Sequence, residues 1–326
     1  MAAQPIDRET VTDLVRAATA APSMHNAQPW RFRFHSAGRE LDLRADLDRA
    51  MPHTDPDQRA LHIGCGAALF NLRVAVAEKG WGAAVRLFPD AADAQLLARV
   101  RLAPGEPHDP ALAGLSDAIG RRHTSRRPFT DKPVPAAVEG ELCAAARSEG
   151  AQLIFVDEWH REALLDQVKD AEGRDRAEPD RTEDVRRWTR TGAAEATDGV
   201  PEYAFGPRVR TGRAPVRDFA GRGTDPGRPA VAFENAPHLA VLGTAEDRRD
   251  DWLRAGQALE RVLLLATLDG LATSLTAHAL EWRDLRELAR DPSSSMGFVH
   301  MVLRLGYGPS GTATPRNPVG QVLEID

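Results

Sequence analysis

Arg121-Arg122-His123-Thr124-Ser125-Arg126-Arg127 gathers four guanidinium groups, an imidazole and two hydroxyls into seven residues. A guanidinium fork matches phosphate oxygens bidentately and a neighbouring hydroxyl adds a donor, so gripping a phosphate is the chemistry these types can do together. The same letters also suit a solvated face; a position between two helical runs, closed by Pro128-Phe129, favours a site. Arg316, between Pro315 and Pro318, offers a further cation, with a solvated tail arginine as the plain alternative. The third stretch is Ala21-Pro22-Ser23-Met24-His25-Asn26-Ala27-Gln28-Pro29-Trp30-Arg31-Phe32. Pro22 pushes Ala21 out of helical geometry. Ser23, His25, Asn26 and Gln28 then crowd polar groups into a short connector that Pro29-Trp30 closes with a rigid turn and an apolar anchor.

These residues need elements to hold them. Residues 7–20 carry Val11, Leu14, Val15 and Ala18 at helical spacing behind Asp7, a good N-cap. Strands are expected near 29–35 and 41–44 as a hairpin. Residues 58–79 form an apolar helix with Gly64, Cys65, Gly66 and Ala68 interleaved; a helix apolar on all sides belongs in the centre, and small residues let another backbone approach. Gly80-Trp81-Gly82 stops it before strands at 84–88 and 98–102, and 104–107 reads as a linker. The pattern then restarts: a helix at 112–120, the arginine run, a helix at 134–147, a strand at 153–156 and an amphipathic helical region over 159–190 marked by Trp159, Leu164, Leu165, Val168, Val185 and Trp188. Residues 191–230 hold seven glycines, five prolines and six arginines without an apolar period, a loop long enough to be functional or mobile. A strand at 238–242, a second apolar helix at 251–269 stopped by Gly270, and a strand at 298–305 complete the chain.

The connector resembles the "apS..N.QPW.f" segment of the nitroreductase-like flavoproteins, and Met24-His25-Asn26 with Arg122-His123-Thr124 is most similar to the Acg branch, whose members carry two nitroreductase halves in one chain. The resemblance implies an α+β fold, with mixed, mainly antiparallel sheet flanked by helices, internally duplicated as a pseudo-dimer. The halves would be 1–112 and 113–326, the second carrying 191–230 as an inserted lid. It implies one FMN per chain. Arg122 and Thr124 match the phosphate-binding Arg and Ser of "R-[RHS]-S-x-R-x-F", His123 lies between them, and Arg126 matches the basic residue that points toward the ring. Phe129 falls one place late, so Arg121/Arg122 and Thr124/Ser125 stand as pairs. Arg316 resembles the "PR.P" piece that returns to the phosphate. Pro22, Ser23, Met24, Asn26 and Gln28 would lie along the ring and ribityl chain, with Trp30 as packing. The run 270–275 resembles the "lGlgs.w" turn, so that backbone amides near Ala277 and His278 face the ring, the His278 side chain being structural.

The phosphate segment occurs only in the second half and the connector only in the first, which points to one complete site. No Gly-x-Gly-x-x-Gly follows a strand; the resemblance implies that NAD(P)H stacks transiently on the flavin and passes hydride through it to a nitro, quinone or other small acceptor. Tyr203 and Phe205, with Arg208, Arg210 and Arg213 nearby, would form the lid, and a surface insertion is the alternative. The rival function is a flavin-storing or sequestering protein; an enzyme oxidising a specific intermediate such as an azoline is a third. The composition argues against two other classes. A net charge of −6 disfavours a nucleic-acid binder, and no run of eighteen apolar residues suggests a membrane span. No signal peptide is legible, so the expected home is the cytoplasm. Cys65 and Cys143 read as buried thiols rather than a disulfide or metal site.

Overall fold

In the computed structural model, residues 6–192, 196–219 and 227–326 are described. Helix α1 (Arg8–Thr19) starts where the Asp7 carboxylate accepts the Thr10 amide, and it buries Val11, Leu14, Val15 and Ala18. A single 3₁₀ turn, Met24–Asn26, separates it from the hairpin β1 (Trp30–His35) and β2 (Glu40–Ala45). Helix α2 (Arg59–Glu78) begins under the Asp55 carboxylate, which accepts the Ala60 and Leu61 amides at 2.9 Å each. Strands β3 (Gly82–Leu87) and β4 (Leu96–Ala103) follow.

The second part contains α3 (Ala136–Ser148), β5 (Gln152–Phe155), α4 (Glu158–Ala177), α5 (Pro179–Arg187), β6 (Leu239–Thr244), α6 (Arg249–Leu268), β7 (Ala272–Thr276) and β8 (Phe298–Gly306), and the chain ends in β9 (Leu323–Ile325). The strands make two main sheets, β9-β1-β2-β4-β3 and β7-β8-β6-β5. All their pairings are antiparallel except β9 with β1, where the tail adds a parallel edge to the first sheet. The fold is α+β, mainly antiparallel, as expected.

Helices α2 and α6, each 20 residues long, pack on one another between the sheets. Glycines set the spacing. A Cβ on Gly66 would sit 2.3 Å from the Leu253 carbonyl oxygen, and one on Gly256 would sit 2.1 Å from that of Ile63. Only hydrogen fits at this crossing. Helix α2 is long and apolar enough to cross a membrane by composition, yet 89% of its apolar window is buried inside the protein; it is the central helix that its small residues suggested.

Three expectations change. The helix over 112–120 is two single turns, Pro110–Ala113 and Ser116–Ile119, parted at Gly114-Leu115 where glycine weakens helix; Leu112, Leu115 and Ile119 still pack on Phe70, Val74 and Leu264. The region 159–190 breaks at Glu178, which Pro179 holds extended. Trp159 lies outside the core at 68% exposure, whereas Trp188 is buried. Both cysteines are free thiols, Cys65 buried in α2 and Cys143 half-buried.

Candidate functional site

The connector turns back on itself under unusual backbone geometry. His25, Asn26 and Gln28 all have positive φ (50°, 56° and 54°), a region that costs non-glycine residues of order 1 kcal/mol each. Side-chain bonds hold it there. Asn26 Nδ2 donates to the carbonyls of Gly199 and Pro315, and its Oδ1 accepts Arg316 Nη1 at 2.9 Å. Gln28 Nε2 donates to Thr197, and its Oε1 accepts the Asn317 amide. Arg316 also donates to the carbonyls of Thr19, Ala20 and Ala21, closing the C-terminus of α1. Asn26, Gln28 and Arg316 thus brace the connector from behind.

In front of it a cleft, partly open to solvent, lies where the two parts of the chain meet. Pro22, Ser23, Met24 and His25 form one wall; Ala60, Ile63 and Gly64 of α2 and Leu259 of α6 form the floor. Thr124 and Arg126, then Ser274, Leu275 and Ala277, then Met301 supply the opposite side. The close seat of the connector on α2 depends on Gly64, whose added Cβ would lie 3.2 Å from that of Ser23. Thr124 is placed by a bridge to Thr273 of β7, reinforced by the Ser125 amide bonding the Thr273 carbonyl at 2.8 Å.

The electrostatics are uneven. Arg126 is half-buried, donates to the Ala204 carbonyl at 3.0 Å and has no carboxylate partner among the described residues; loss of solvent around it pushes its pKa down to about 10. Arg122 is 3% exposed and donates to Ala20, with Glu260 of α6 at 3.4 Å, while its Nε makes no hydrogen bond. Burial, and then Arg122, lower Arg316 to about 9, so the two guanidinium groups share one neighbourhood with one buried carboxylate, Glu260. Burial raises the Glu260 carboxyl against the pull of Arg122.

Of the residues expected from sequence, Pro22, Ser23, Met24, Thr124, Arg126 and Ala277 meet in the cleft. Asn26, Gln28, Arg122 and Arg316 lie behind the connector. Arg121 and His123 face a separate pocket with Gly270, Thr273 and Ser310. His278 is buried beside Ala277, with neither ring nitrogen bonded among the described residues.

The expected cover also changes. Tyr203 is 60% exposed and does not line the cleft; Arg213 turns outward to Glu162 and Asp166. Phe205 lies in a second layer, stacked on Phe219 at 6.2 Å. Val216, Arg217 and Phe219 are the residues that close over the cleft. They are anchored by Arg217 to both oxygens of Glu281 at 2.8 Å, by Thr276 Oγ1 to the Pro215 carbonyl, and by Arg126 stacked 5.0 Å above the Phe219 ring. The reading of 191–230 covers residues 193–195 and 220–226 as well, which lie outside the described residues. His25, Arg217, Phe219, Ser274 and Glu281 were not singled out for the site in the sequence. Of these His25 and Ser274 carried a signal, through their places in the connector and in the run 270–275; the others look like ordinary loop residues until the fold brings them together.

The Nitroreductase family model matches residues 2–51, which include α1, the connector and the first hairpin. Across 98% of the chain the sequence is 35% identical to the Mycobacterium tuberculosis (strain H37Rv) protein named "Putative NAD(P)H nitroreductase Rv3131", covering 92% of that protein. It is 30% identical to "Putative NAD(P)H nitroreductase acg" of the same strain, over 98% of this chain and 97% of that one. A solved nitroreductase-like family protein from Bacillus cereus aligns with 65% of this chain and 95% of its own, at 17% identity and a TM-score of 0.39. The chain belongs to the nitroreductase family. Within it, identity along the full length groups the protein with the Acg-type members.

Proposed function

We propose that the protein is an FMN-dependent oxidoreductase that takes hydride from NAD(P)H and reduces a small acceptor of the nitro or quinone class in the cytoplasm. The observation that carries this reading is Arg126, a half-buried cation without a carboxylate partner among the described residues, set in an apolar cleft between the connector and residues 274–277. Such a cation fits a ring that becomes more negative on reduction. FMN, when bound, supplies the two-electron chemistry. The chain's own residues bind and orient it: Ile63, Leu259, Leu275 and Met301 offer the flat apolar surface, and Ser23, Thr124 and the backbone near Ala277 and His278 offer polar contacts. Thr124 would take the phosphate, with the positive charges of Arg122 and Arg316 behind the connector, and Arg121 and His123 in the neighbouring pocket, favouring an anion nearby, while Asn26, Gln28 and the Arg316 hydrogen bonds fix the connector. The division at 112/113 into two nitroreductase-like halves forming one pseudo-dimer, with one FMN between them, belongs to the same proposal. Two 20-residue helices packed across a glycine contact, each flanked by its own sheet, support it.

One observation favours a second reading. Arg217, Phe219 and Val216 cover the cleft and are tied down at Glu281, Arg126 and Thr276, as suits a protein that stores flavin and turns over little. Steady-state NADH and NADPH oxidation by FMN-loaded protein, with 1,4-naphthoquinone and nitrobenzene as acceptors, separates the two. Acceptor-dependent turnover supports the enzyme; bound FMN without turnover supports storage.

A further inference from the structure

Both ends of the covering segment rest on one side chain. Arg126 Nη1 donates to the Ala204 carbonyl at 3.0 Å, and its Cζ lies 5.0 Å from the centre of the Phe219 ring. Phe219 stacks in turn on Phe205 at 6.2 Å, and Arg228 closes the column 5.8 Å from the Phe205 ring. Backbone contact adds to the seat: a Cβ on Gly206 would lie 2.3 Å from the Arg126 carbonyl oxygen, so only glycine fits against the arginine run here. Between its ends the segment is held by other groups, Arg217 on Glu281 and the Pro215 carbonyl on Thr276 Oγ1. Those ties do not involve Arg126.

The same side chain is half-buried and lines the cleft, with Thr124, Ser274 and Ala277 among the other lining residues. Among the described residues Nη1 is its one hydrogen-bonded nitrogen, which leaves Nε and Nη2 as donors for a ligand. The cover and the occupant of the cleft therefore draw on one guanidinium. The cover offers it a carbonyl and an aromatic face, both uncharged, and a formal negative charge binds a guanidinium more strongly than either. Hydride brings two electrons and one proton, so a flavin ring that accepts it gains one negative charge. We infer that Arg126 is a redox-sensitive pin: on reduction of the cofactor its guanidinium turns from Ala204 and Phe219 toward the ring, and the Phe219 side of the cover loosens while the Arg217 side stays fixed. The inference rests on reading the cleft as a flavin site. It adds a link from the charge of the ring to the cover, by which the mouth widens for the acceptor after the reductant has acted.

Amide hydrogen exchange, read by mass spectrometry on full-length, FMN-loaded protein, compares the oxidised form with the dithionite-reduced form under nitrogen. FMN is kept in excess so that every variant stays loaded. In wild type, reduction should speed exchange over residues 204–206 and 218–219 about fivefold, the equivalent of one net hydrogen bond, and leave α2 unchanged. Arg126→Gln keeps a donor for Ala204 without the charge, and its exchange should not respond to reduction. Phe219→Leu removes the ring that the guanidinium faces; residues 218–219 should then exchange fast in both states, while 204–206 still respond. The inference is overturned if reduction leaves wild-type exchange unchanged or slows it, if Arg126→Gln responds as wild type does, or if Phe219→Leu leaves 218–219 as slow as in oxidised wild type. A wild-type protein that takes up no FMN instead removes the flavin reading, a result visible in the cofactor content before any exchange is measured.

Discussion

At the scale of single residues, charge without a partner is the most informative quantity. Arg217 is neutralised by Glu281, and Arg122 has Glu260 close by, but among the described residues Arg126 faces the cleft with only a carbonyl and the Phe219 ring. Arg126→Gln preserves a donor to Ala204 and removes the charge. Loss of one charge-assisted contact, about 1.5–3 kcal/mol, should weaken retention of the reduced cofactor roughly ten- to a hundredfold and that of the oxidised cofactor less. Spectroelectrochemistry would then record a more negative midpoint potential; an unchanged potential takes Arg126 away from the ring. The connector and the arginine run were legible in the sequence because their unusual types fall close together. Arg217 and Glu281 were not, since 64 positions separate them and neither looks unusual before burial pairs them. Arg316 was legible as a cation but not as a brace, because its partners are backbone carbonyls that no sequence pattern marks.

At the scale of elements, the cleft exists because α2 and α6 touch backbone to backbone. Gly66→Ala would drive a methyl into the Leu253 carbonyl and force the helices apart. Overpacking of this kind costs about 1–3 kcal/mol, so the urea midpoint should fall and FMN should be lost with it. Gly140→Ala in α3 is the control: nothing lies within 4 Å of its added methyl, and removing a helical glycine should stabilise the protein by about 0.5–1 kcal/mol. If both variants melt alike, close approach is not what seats the helices. Long helices with strong apolar content were legible because burial on every side leaves a dense apolar pattern. Helix breaks were less so, since Gly114 and Glu178-Pro179 interrupt otherwise helical runs. The direction of the covering segment was out of reach: Tyr203 and Phe205 are aromatic and conspicuous, yet Val216, Arg217 and Phe219 face the cleft because Glu281 and Thr276 hold that stretch.

At the scale of the whole molecule, His62 links protonation to global stability. It sits on α2, bonded at Nδ1 to the Gln58 carbonyl and at Nε2 to Arg249 of α6, and burial lowers its pKa to about 4 from an unfolded value near 6.5. Below about pH 6.5 the unfolded chain binds a proton that the folded protein refuses, so this contribution to stability falls with pH down to about 4. Between pH 7 and 5 the loss amounts to about 2 kcal/mol. His62→Gln, which retains donor and acceptor without titrating, should therefore lose about 2 kcal/mol less than wild type over that interval in urea unfolding. Equal losses would move the pH dependence to other groups. The architecture as a whole brings the first and second parts of the chain together at a cleft, with the connector on one side and Thr124 and Arg126 on the other. The most direct test is the visible spectrum of purified, FMN-equilibrated protein with its ratio of FMN to chain. The account predicts a yellow protein with a ratio near one; a colourless protein, or a ratio near two, would contradict it.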